Sequence, residues 1–367
     1  MLIRAPRDTL LTPLAAAAGI VEKRQTKPIL GCFLLERSDD GLTVTATDLE
    51  AQIVVRQPLG ELAGENGACA VPAKKLLDIL KSLPDGAEVQ LLAEENTLKI
   101  TSGRSRFTLH TLPAHDFPRL TPPSEGDQLT LTQHTLRRLV ALTAFAMAQQ
   151  DVRYYLNGLF FHLHDQNLHV VATDGHRLAH VEEAMPEFRD EREAILPRKT
   201  VLELQRLLSD SDQPVAITIA ERQVVFTTGA VQFTSKIIEG KFPDYRRVIP
   251  MNHPVRIVFD RVELLRALQR VAVLAEDKLR PIKLTFETGL VRISGHNVER
   301  EEAVEEIEIH YEGAPLEIGF NVSYLIDVLT ALTNEVIHIQ LKDSMAAALI
   351  TTPDDEHFHY VVMPMRL

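Results

Sequence analysis

The stretches TLLTPLAAAAGIV (9–21), TLRRLVALTAFAM (135–147) and ELLRALQRVAVLA (263–275) decide the fold, because they are three versions of one amphipathic segment. Their apolar residues recur at helical spacing, so each predicts a helix. From Thr9 to Thr135 is 126 positions, and from Thr135 to Glu263 is 128. Self-similarity at a fixed period indicates a repeated structural unit.

The rest of the chain follows the same period. A strand-like stretch comes after each first helix, at KPILGCFLLE (27–36), YYLNGLFFHL (154–163) and RPIKLTFE (280–287). A second amphipathic helix is predicted further on, at VPAKKLLDILKSL (71–83), LPRKTVLELQRLL (196–208) and FNVSYLIDVLTAL (320–332), and alternating strands close each unit. We take Thr9, Thr135 and Ser323 as candidate helix N-caps.

Each third therefore consists of helix, strands, helix and strands, which predicts an α+β fold of three similar domains. Short proline-containing links, LTPPSEGDQ (120–128) and VIPMNHP (248–254), separate the thirds. The predicted domains are residues 1–125, 126–249 and 250–367.

The composition excludes several classes of protein. With 367 residues, 45% hydrophobic and 25% charged, the chain resembles an average globular protein. No apolar run approaches the ~18 residues of a membrane span, and the N-terminus lacks the pattern of a signal peptide, so we expect a cytoplasmic location. Two cysteines, Cys32 and Cys69, provide neither a disulfide framework nor a four-ligand zinc site.

The net charge of −12 argues against a surface that is basic everywhere, but not against a local basic patch. Lys74 and Lys81 share the polar face of one predicted helix, and Arg266 and Arg270 share that of another. If the helices line a concave surface, these cations would attract a polyanion. The alternative, that they serve only solubility, remains open on charge placement alone.

The segment ATDGHRLA (172–179) is a candidate for chemistry, because polar residues end a hydrophobic strand there. The first repeat has ATDLEAQI (46–53) at the equivalent place, so the shared Thr-Asp pair predicts a structural turn. The part that differs, Gly175-His176-Arg177, is the better functional candidate. With no partner nucleophile or second acid identifiable, no catalytic residue is predicted.

His162, His164 and His169 have the alternation of metal ligands on a strand, but the sequence fixes no carboxylate or cysteine beside them. We therefore predict no metal site and no cofactor. Tyr154 and Tyr155 could stack on exposed bases or pack in the core. The chain ends in VVMPMRL (361–367), an apolar tail that suits either a ligand-accepting surface or the completion of a last strand.

The chain resembles the bacterial beta sliding clamps, the processivity subunits of DNA polymerase III. The resemblance rests on the triplicated architecture and on KPILG (27–31), DVRYYLNG (151–158), ATDGHRLA (172–179), KFPDYRRVIP (241–250) and YVVMPMRL (360–367), and it extends along the whole chain. It implies a non-enzymatic accessory subunit that encircles duplex DNA as a head-to-tail homodimer ring, with helices inside and sheets outside.

The resemblance also implies three sets of site residues. The first set contacts DNA without sequence specificity and comprises Arg24, Gln150, Tyr154, Tyr155 and Lys199. The second forms the dimer interface from two unlike edges and comprises Arg104, Arg106, Phe107, Leu109, Val273, Leu274, Glu299, Glu301, Glu302 and Glu305. The third lines a peptide-binding cleft and comprises Leu156, Thr173, Gly175, His176, Arg177, Leu178, Pro243, Arg247, Val248, Val361, Met363, Pro364, Met365 and Arg366.

The partners implied are duplex and primer-template DNA, a second copy of the chain, and proteins with short hydrophobic peptides: the polymerase III catalytic subunit, the clamp loader, other polymerases and repair proteins. Near Ala347, an alanine run stands where the resemblance would place hydroxyl-bearing residues. Two other classes of function remain as alternatives: an enzyme that uses ATDGHR with a metal or nucleotide, and a repeat scaffold that binds only proteins.

Overall fold

A computed structural model describes residues 1–21, 27–59, 64–275 and 280–366. Within these residues the first third contains two α-helices, α1 (Arg7–Ala17) and α2 (Ala73–Ser82). The strands of the first third are β1 (Leu2–Pro6), β2 (Cys32–Ser38), β3 (Gly41–Thr47), β4 (Ala51–Gln57), β5 (Gly67–Pro72), β6 (Glu88–Glu94), β7 (Thr97–Ser102) and β8 (Ser105–His110).

The central third repeats this order around α3 (Gln133–Ala141) and α4 (Arg198–Leu207). Its strands are β9 (Asp127–Thr132), β10 (Gly158–His164), β11 (Asn167–Thr173), β12 (Arg177–Ala184), β13 (Arg192–Pro197), β14 (Pro214–Ile219), β15 (Gln223–Thr228) and β16 (Val231–Lys236).

The last third repeats the order again around α5 (Arg261–Val271) and α6 (Val322–Ala331). Its strands are β17 (Val255–Asp260), β18 (Pro281–Glu287), β19 (Leu290–His296), β20 (Glu302–Glu308), β21 (Leu316–Asn321), β22 (Val336–Leu341), β23 (Ala348–Thr351) and β24 (Phe358–Val362). Every third is thus a strand-helix-three-strand unit used twice, and the predicted threefold α+β repeat is confirmed.

The chain divides into two compact units, and the division falls within α3 and α4. The first unit consists of Met1–Leu136 and Leu202–Ile237. It contains a four-stranded sheet, β1-β6-β7-β8, and an eight-stranded sheet, β5-β2-β3-β4-β16-β15-β14-β9. In the larger sheet, β4 of the first third pairs antiparallel with β16 of the central third, and Gln52 lies opposite Thr234.

The second unit consists of Arg137–Val201 and Ile238–Leu367. It contains a four-stranded sheet, β20-β19-β18-β21, and an eight-stranded sheet, β13-β10-β11-β12-β24-β23-β22-β17. Here β12 of the central third pairs with β24 of the last third, and Leu178 lies opposite Val361. The domain limits predicted from sequence, which divide the chain at 125/126 and 249/250, remain predictions.

The helices bury the faces that their periodicity predicted. Leu76, Leu77 and Leu80 of α2 are buried, as are Leu264 and Leu268 of α5. The predicted N-caps Thr9, Thr135 and Ser323 are wrong by two or three residues, because α1, α3 and α6 begin earlier, directly after Pro6, Thr132 and Asn321. The backbone N–H of Ser323, for example, donates to Oδ1 of Asn321 at 2.9 Å, so Asn321 is the N-cap of α6.

Candidate functional sites

The turn between β11 and β12 is held by its own side chains. The Thr173 hydroxyl donates to the Arg177 carbonyl at 2.6 Å, and Oδ1 of Asp174 accepts from the backbone N–H groups of His176 and Arg177 at 2.9 and 3.1 Å. Gly175 has a φ of 90°, a left-handed conformation that glycine adopts without strain. The sequence of this turn is therefore dictated largely by its geometry.

The first repeat has the same turn. The Thr47 hydroxyl donates to the Ala51 carbonyl at 2.8 Å, and Oδ1 of Asp48 accepts from two backbone N–H groups. Leu49, with a φ of 78°, takes the place of glycine. The interpretation of the shared Thr-Asp pair as structural therefore agrees with the geometry, and only the residues that differ need a separate explanation.

Arg177 is the most heavily engaged residue that distinguishes the second turn. Its side chain is 9% exposed, and it donates to Asp174 at 3.2 Å, to Asp327 of α6 at 2.6 Å and to the Phe145 carbonyl at 2.7 Å. Its guanidinium carbon lies 4.5 Å from the centre of the Tyr324 ring. Arg177 therefore positions the turn through hydrogen bonds made within the chain.

A buried apolar cluster lies beside this turn. It contains Leu156, Leu178 and Val361 from the predicted cleft, together with residues that the sequence analysis missed: Ala148, Phe160, Val171, Ile195, Phe242, Tyr245 and Leu349. The rings of Phe160 and Phe242 stack with centroids 4.5 Å apart. The motif KFPDYRRVIP could have indicated two of these residues, because its aromatic residues Phe242 and Tyr245 are three positions apart and both belong to this cluster.

The other predicted cleft residues lie around the cluster at the surface. Pro243, Arg247 and Val248 are exposed, on the segment that carries buried Phe242 and Tyr245. The terminal segment is fixed by its backbone, since the Met363 N–H donates to the His176 carbonyl at 2.9 Å, and the Met363 residue is 44% exposed. We call these exposed residues, which flank members of the buried cluster along the chain, the rim.

The end of the chain departs from this rim. The Met365 N–H donates to the Gly319 carbonyl at 2.8 Å. Met365 and Arg366 line a second depression of about 530 Å³ together with Ser344 and Met345. Pro364 lies between the two anchored positions. Ala347, from the alanine run, packs against the apolar cluster. The set predicted as one cleft is therefore spread over the rim and this neighbouring depression.

The residues predicted to contact DNA differ in exposure. Gln150 is exposed and has a φ of 56°, and Tyr154 is 58% exposed. Tyr155 is partly buried against the apolar cluster, its ring edge-on to that of Tyr154 with centroids 5.8 Å apart. Lys199 is half-buried at the start of α4. Arg24 lies outside the described residues.

The arginine beside the two tyrosines is held in place. Arg153 donates to both carboxylate oxygens of Asp151, at 3.0 and 2.8 Å, and to the Asp174 carbonyl at 3.1 Å. The hydrogen bonds that Asp151 accepts from the side chain and backbone of Arg153 lower the pKa of Asp151 to about 2. The segment before Tyr154 is therefore ordered by an ion pair at the surface.

The residues predicted at the dimer interface lie on or next to two end strands. Arg106, Phe107 and Leu109 are on β8, the last strand of the sheet β1-β6-β7-β8, and Arg104 precedes it. Glu302 and Glu305 are on β20, the end strand of β20-β19-β18-β21. Other members of the predicted set surround β20: Val273 and Leu274 follow α5, and Glu299 and Glu301 precede the strand.

The acidic edge is partly neutralised within the chain. Arg270 of α5 donates to both carboxylate oxygens of Glu305 at 2.6 Å, which lowers the pKa of that carboxyl. Asn297 accepts from the backbone N–H groups of Glu299 and Glu301 at 3.0 and 2.9 Å. Val273, 67% exposed, and Val304, 48% exposed, add apolar surface to the same edge.

Comparison with known proteins defines the class. Three family models match in order: the N-terminal domain of the DNA polymerase III beta subunit over residues 1–121, the central domain over 130–244 and the C-terminal domain over 246–366. Together they span nearly the whole chain.

Individual relatives agree. The chain is 48% identical to the beta sliding clamp of Pseudomonas putida and 43% identical to that of Escherichia coli, over 98% of both chains in each comparison. It superposes on the crystal structure of the DnaN sliding clamp from Pseudomonas aeruginosa bound to griselimycin with a TM-score of 0.96, at 46% identity and full coverage of both chains.

The chain therefore belongs to the DNA polymerase III beta subunit family, the beta sliding clamps. It is a processivity clamp and an accessory subunit of the polymerase, not itself a catalyst. The predicted family, three-domain α+β fold and clamp function are confirmed. Among the described helices, none has the length and apolarity that a membrane crossing requires.

Proposed function

We propose that two copies of this chain close head to tail into a ring around duplex DNA in the cytoplasm, and that the rim and apolar cluster beside the β11–β12 turn receive peptides from the polymerase and its loader. Topological enclosure removes the need for tight contacts, because sequence-independent phosphate contacts exchange as the ring slides. The single observation that carries the proposal is that one kind of strand pairing between thirds, which we call a joint, occurs in both units.

The same antiparallel joint occurs in both units. Each joint links the fourth strand of one third to the eighth strand of another third, β4 to β16 and β12 to β24. Gln52 opposite Thr234 and Leu178 opposite Val361 are equivalent pairs, so the register is also the same. Two strands of these types, β20 and β8, end their sheets without such a partner among the described residues. A second copy would supply that partner for each.

The shared register predicts which residues meet at the third joint. Thr108 occupies the place of Thr234, and Glu302 occupies the place of Gln52, which puts Thr108 opposite Glu302 of the other copy. Val304 would then face Arg106, and Phe107 would lie opposite Ala303 on the other face of the sheet. The β8 edge carries arginines and the Phe107 ring, and the β20 edge carries glutamates and Val304. The two edges are therefore complementary in charge and in apolar surface.

The cleft would bind a short hydrophobic peptide in extended or turn form. Leu156, Leu178 and Val361 provide an apolar floor, and the exposed Met363 provides an adaptable wall. Val248 and Pro243 extend the apolar rim. A relative from Pseudomonas aeruginosa has been crystallised bound to griselimycin. Leucine and phenylalanine anchors of partner proteins would fill this floor.

For DNA, we propose that Gln150 and Tyr154 make the first contacts, because both are exposed on the segment ordered by Arg153. Arg24, Lys199 and Tyr155 complete the proposed set. Phosphate contacts from a few such side chains confer salt-dependent, sequence-independent affinity.

A cysteine crosslink tests the proposed ring. The variant Thr108→Cys/Glu302→Cys should form a covalent dimer on mild oxidation, because directly opposed residues bring their Cβ atoms to ~4.5–5.5 Å. Phe107→Cys/Glu302→Cys is the matched control, since those side chains would point to opposite faces. The native Cys32 and Cys69 are buried, which limits background reaction. Equal crosslinking of both variants, or none in the first, would refute the joint.

A further inference from the structure

A band of histidines crosses one face of the eight-stranded sheet in the second unit. His162 lies opposite His169 in the β10–β11 ladder, and His169 lies opposite Glu182 in the β11–β12 ladder. His180 lies opposite His359 in the β12–β24 ladder. Since directly opposed residues share a face, and residues two apart on a strand share it too, all five side chains are on the same side.

Three ligand atoms converge within this band. Nδ1 of His169 lies 3.1 Å from Nε2 of His180 and 3.1 Å from Oε2 of Glu182, and the three residues offer ligand atoms within 4.8 Å of one another. In a tetrahedral zinc site with bonds of ~2.0–2.1 Å, neighbouring ligand atoms are separated by about 3.3 Å. Two of the three separations are therefore already close to those of a zinc site.

A second layer of residues orients these ligands. Nδ1 of His180 lies 3.3 Å from Nδ1 of His359, so a His180 that ligates through Nε2 can donate its other N–H to His359. Nδ1 of His357 lies 2.6 Å from Oε1 of Glu182, which fixes the carboxylate through the oxygen that does not face the site. Partners of this kind hold the ring orientation and tautomer of metal ligands.

We propose that His169, His180 and Glu182 bind a zinc ion, with water in the fourth position. Two imidazoles and one carboxylate suit Zn²⁺, whereas Mg²⁺ and Ca²⁺ prefer oxygen ligands only. All three residues lie on the paired strands β11 and β12, so the sheet holds their backbones rigid. The side chains of His169 and Glu182 are 14% and 24% exposed, which leaves an entrance for the ion.

A neighbouring group provides a built-in comparison. His162, His164 and Glu191 also bring three ligand atoms within 4.8 Å, with Glu191 3.1 Å from His162 and 3.6 Å from His164. Glu191 precedes β13 and its side chain is 61% exposed, so this group is less preorganised. The zinc ion is therefore assigned to the group on β11 and β12.

The test uses the full chain without a histidine tag, stripped of metal by a chelator. Titration with ZnCl2 by calorimetry should give one ion per chain, and Co²⁺ should produce the intense visible absorption of a tetrahedral site. Glu182→Gln and His169→Gln should each weaken Zn²⁺ binding at least ~100-fold, the upper end of what loss of an outer-shell partner costs. His162→Gln and the exposed-surface variant His115→Gln should bind as the wild type does.

Several outcomes would overturn the assignment. They are no saturable Zn²⁺ binding by the wild type, a weak octahedral Co²⁺ spectrum, unchanged affinity in either Glu182→Gln or His169→Gln, or a loss confined to His162→Gln. The Co²⁺ spectrum is read on the wild type, so the test does not depend on the variants folding. Melting temperatures of the metal-free variants separate loss of the ligand from loss of the fold.

Discussion

Reversing one charge at the proposed joint should weaken the ring, and a second charge reversal across the joint should restore it. In the predicted register, Arg106 faces Val304 and has Glu302 and Glu306 of the other copy as diagonal neighbours, within reach of a long side chain. Arg106→Glu would replace attraction by repulsion at both. Cross-strand charge pairs contribute roughly 0.2–1 kcal/mol each, so a change of about 1 kcal/mol per joint is expected.

A head-to-tail dimer contains this joint twice, so the loss doubles to about 2 kcal/mol and raises the dimer dissociation constant roughly 30-fold. Sedimentation velocity over a concentration series measures that constant directly. Adding Glu302→Arg to the same chain should recover most of the affinity, and raising the salt concentration should shrink the defect. Arg4→Glu, an exposed arginine on β1 of the same sheet, is the control with equal net charge. Equal weakening by Arg4→Glu, or no recovery with Glu302→Arg, would refute the register.

Three further predictions concern the second unit. Met363→Ala should weaken binding of a leucine- and phenylalanine-containing peptide about tenfold in a polarisation assay while leaving the dimer intact, because Met363 is exposed at the rim; a lost dimer would mean that the side chain is structural. Gly175→Ala should cost about 1 kcal/mol of stability, because alanine is strained at the φ of 90° that Gly175 adopts. The melting temperature should therefore fall. Leu49→Gly, at the equivalent turn of the first repeat, should cause no such fall. Burial lowers the pKa of His180 from 6.5 to about 3, and neighbouring His169 and His359 shift in the same direction, so below pH 6.5 the unfolded chain binds protons that the folded chain does not. The stability that neutral His180 contributes is fully retained above pH 6.5, and about 2 kcal/mol of it is lost between pH 7 and pH 5. Chemical unfolding in the presence of chelator at both pH values measures this loss. If the difference in unfolding free energy between the two pH values is unchanged in His180→Gln, His180 is not its source.

The sequence predicted the repeated elements because each carries a periodic pattern of its own. The helix around Leu76 and Leu80 could be located from spacing alone, and its buried face is as predicted. The short strand before each first helix was not predicted, because five or six residues such as those of β1 and β9 give little periodic signal.

The joints between the thirds lay beyond sequence reasoning for a different reason. That Gln52 pairs with Thr234 is a contact between residues distant in sequence, and neither strand carries a local mark of its partner. The histidine band shows the same limit. Sequence spacing places His162 and His164 on one face. Glu182 and His180 come near His169 only through the strand order, so the sequence alone shows no carboxylate beside His169.

The cleft was predicted through resemblance, and the burial of its predicted residues explains why composition could not point to it. Leu156 and Val361 are as buried as ordinary core residues, so neither their type nor their burial distinguishes them from the rest of the core. Arg177 stood out in the sequence as a polar residue at a strand end. Its use as a structural brace became clear only when Asp327 of α6 was placed beside it.

Retention on DNA of different topology tests enclosure most directly. The protein is loaded onto nicked circular DNA with its clamp loader, and the complex is passed through a sizing column at high salt before and after the DNA is cut once. Because a closed ring is held by topology and not by phosphate contacts, it should remain on the circle at high salt and leave rapidly once the DNA is linear. Loss from the circle at the salt concentration that strips ordinary DNA-binding proteins, or equal retention on linear DNA, would contradict enclosure.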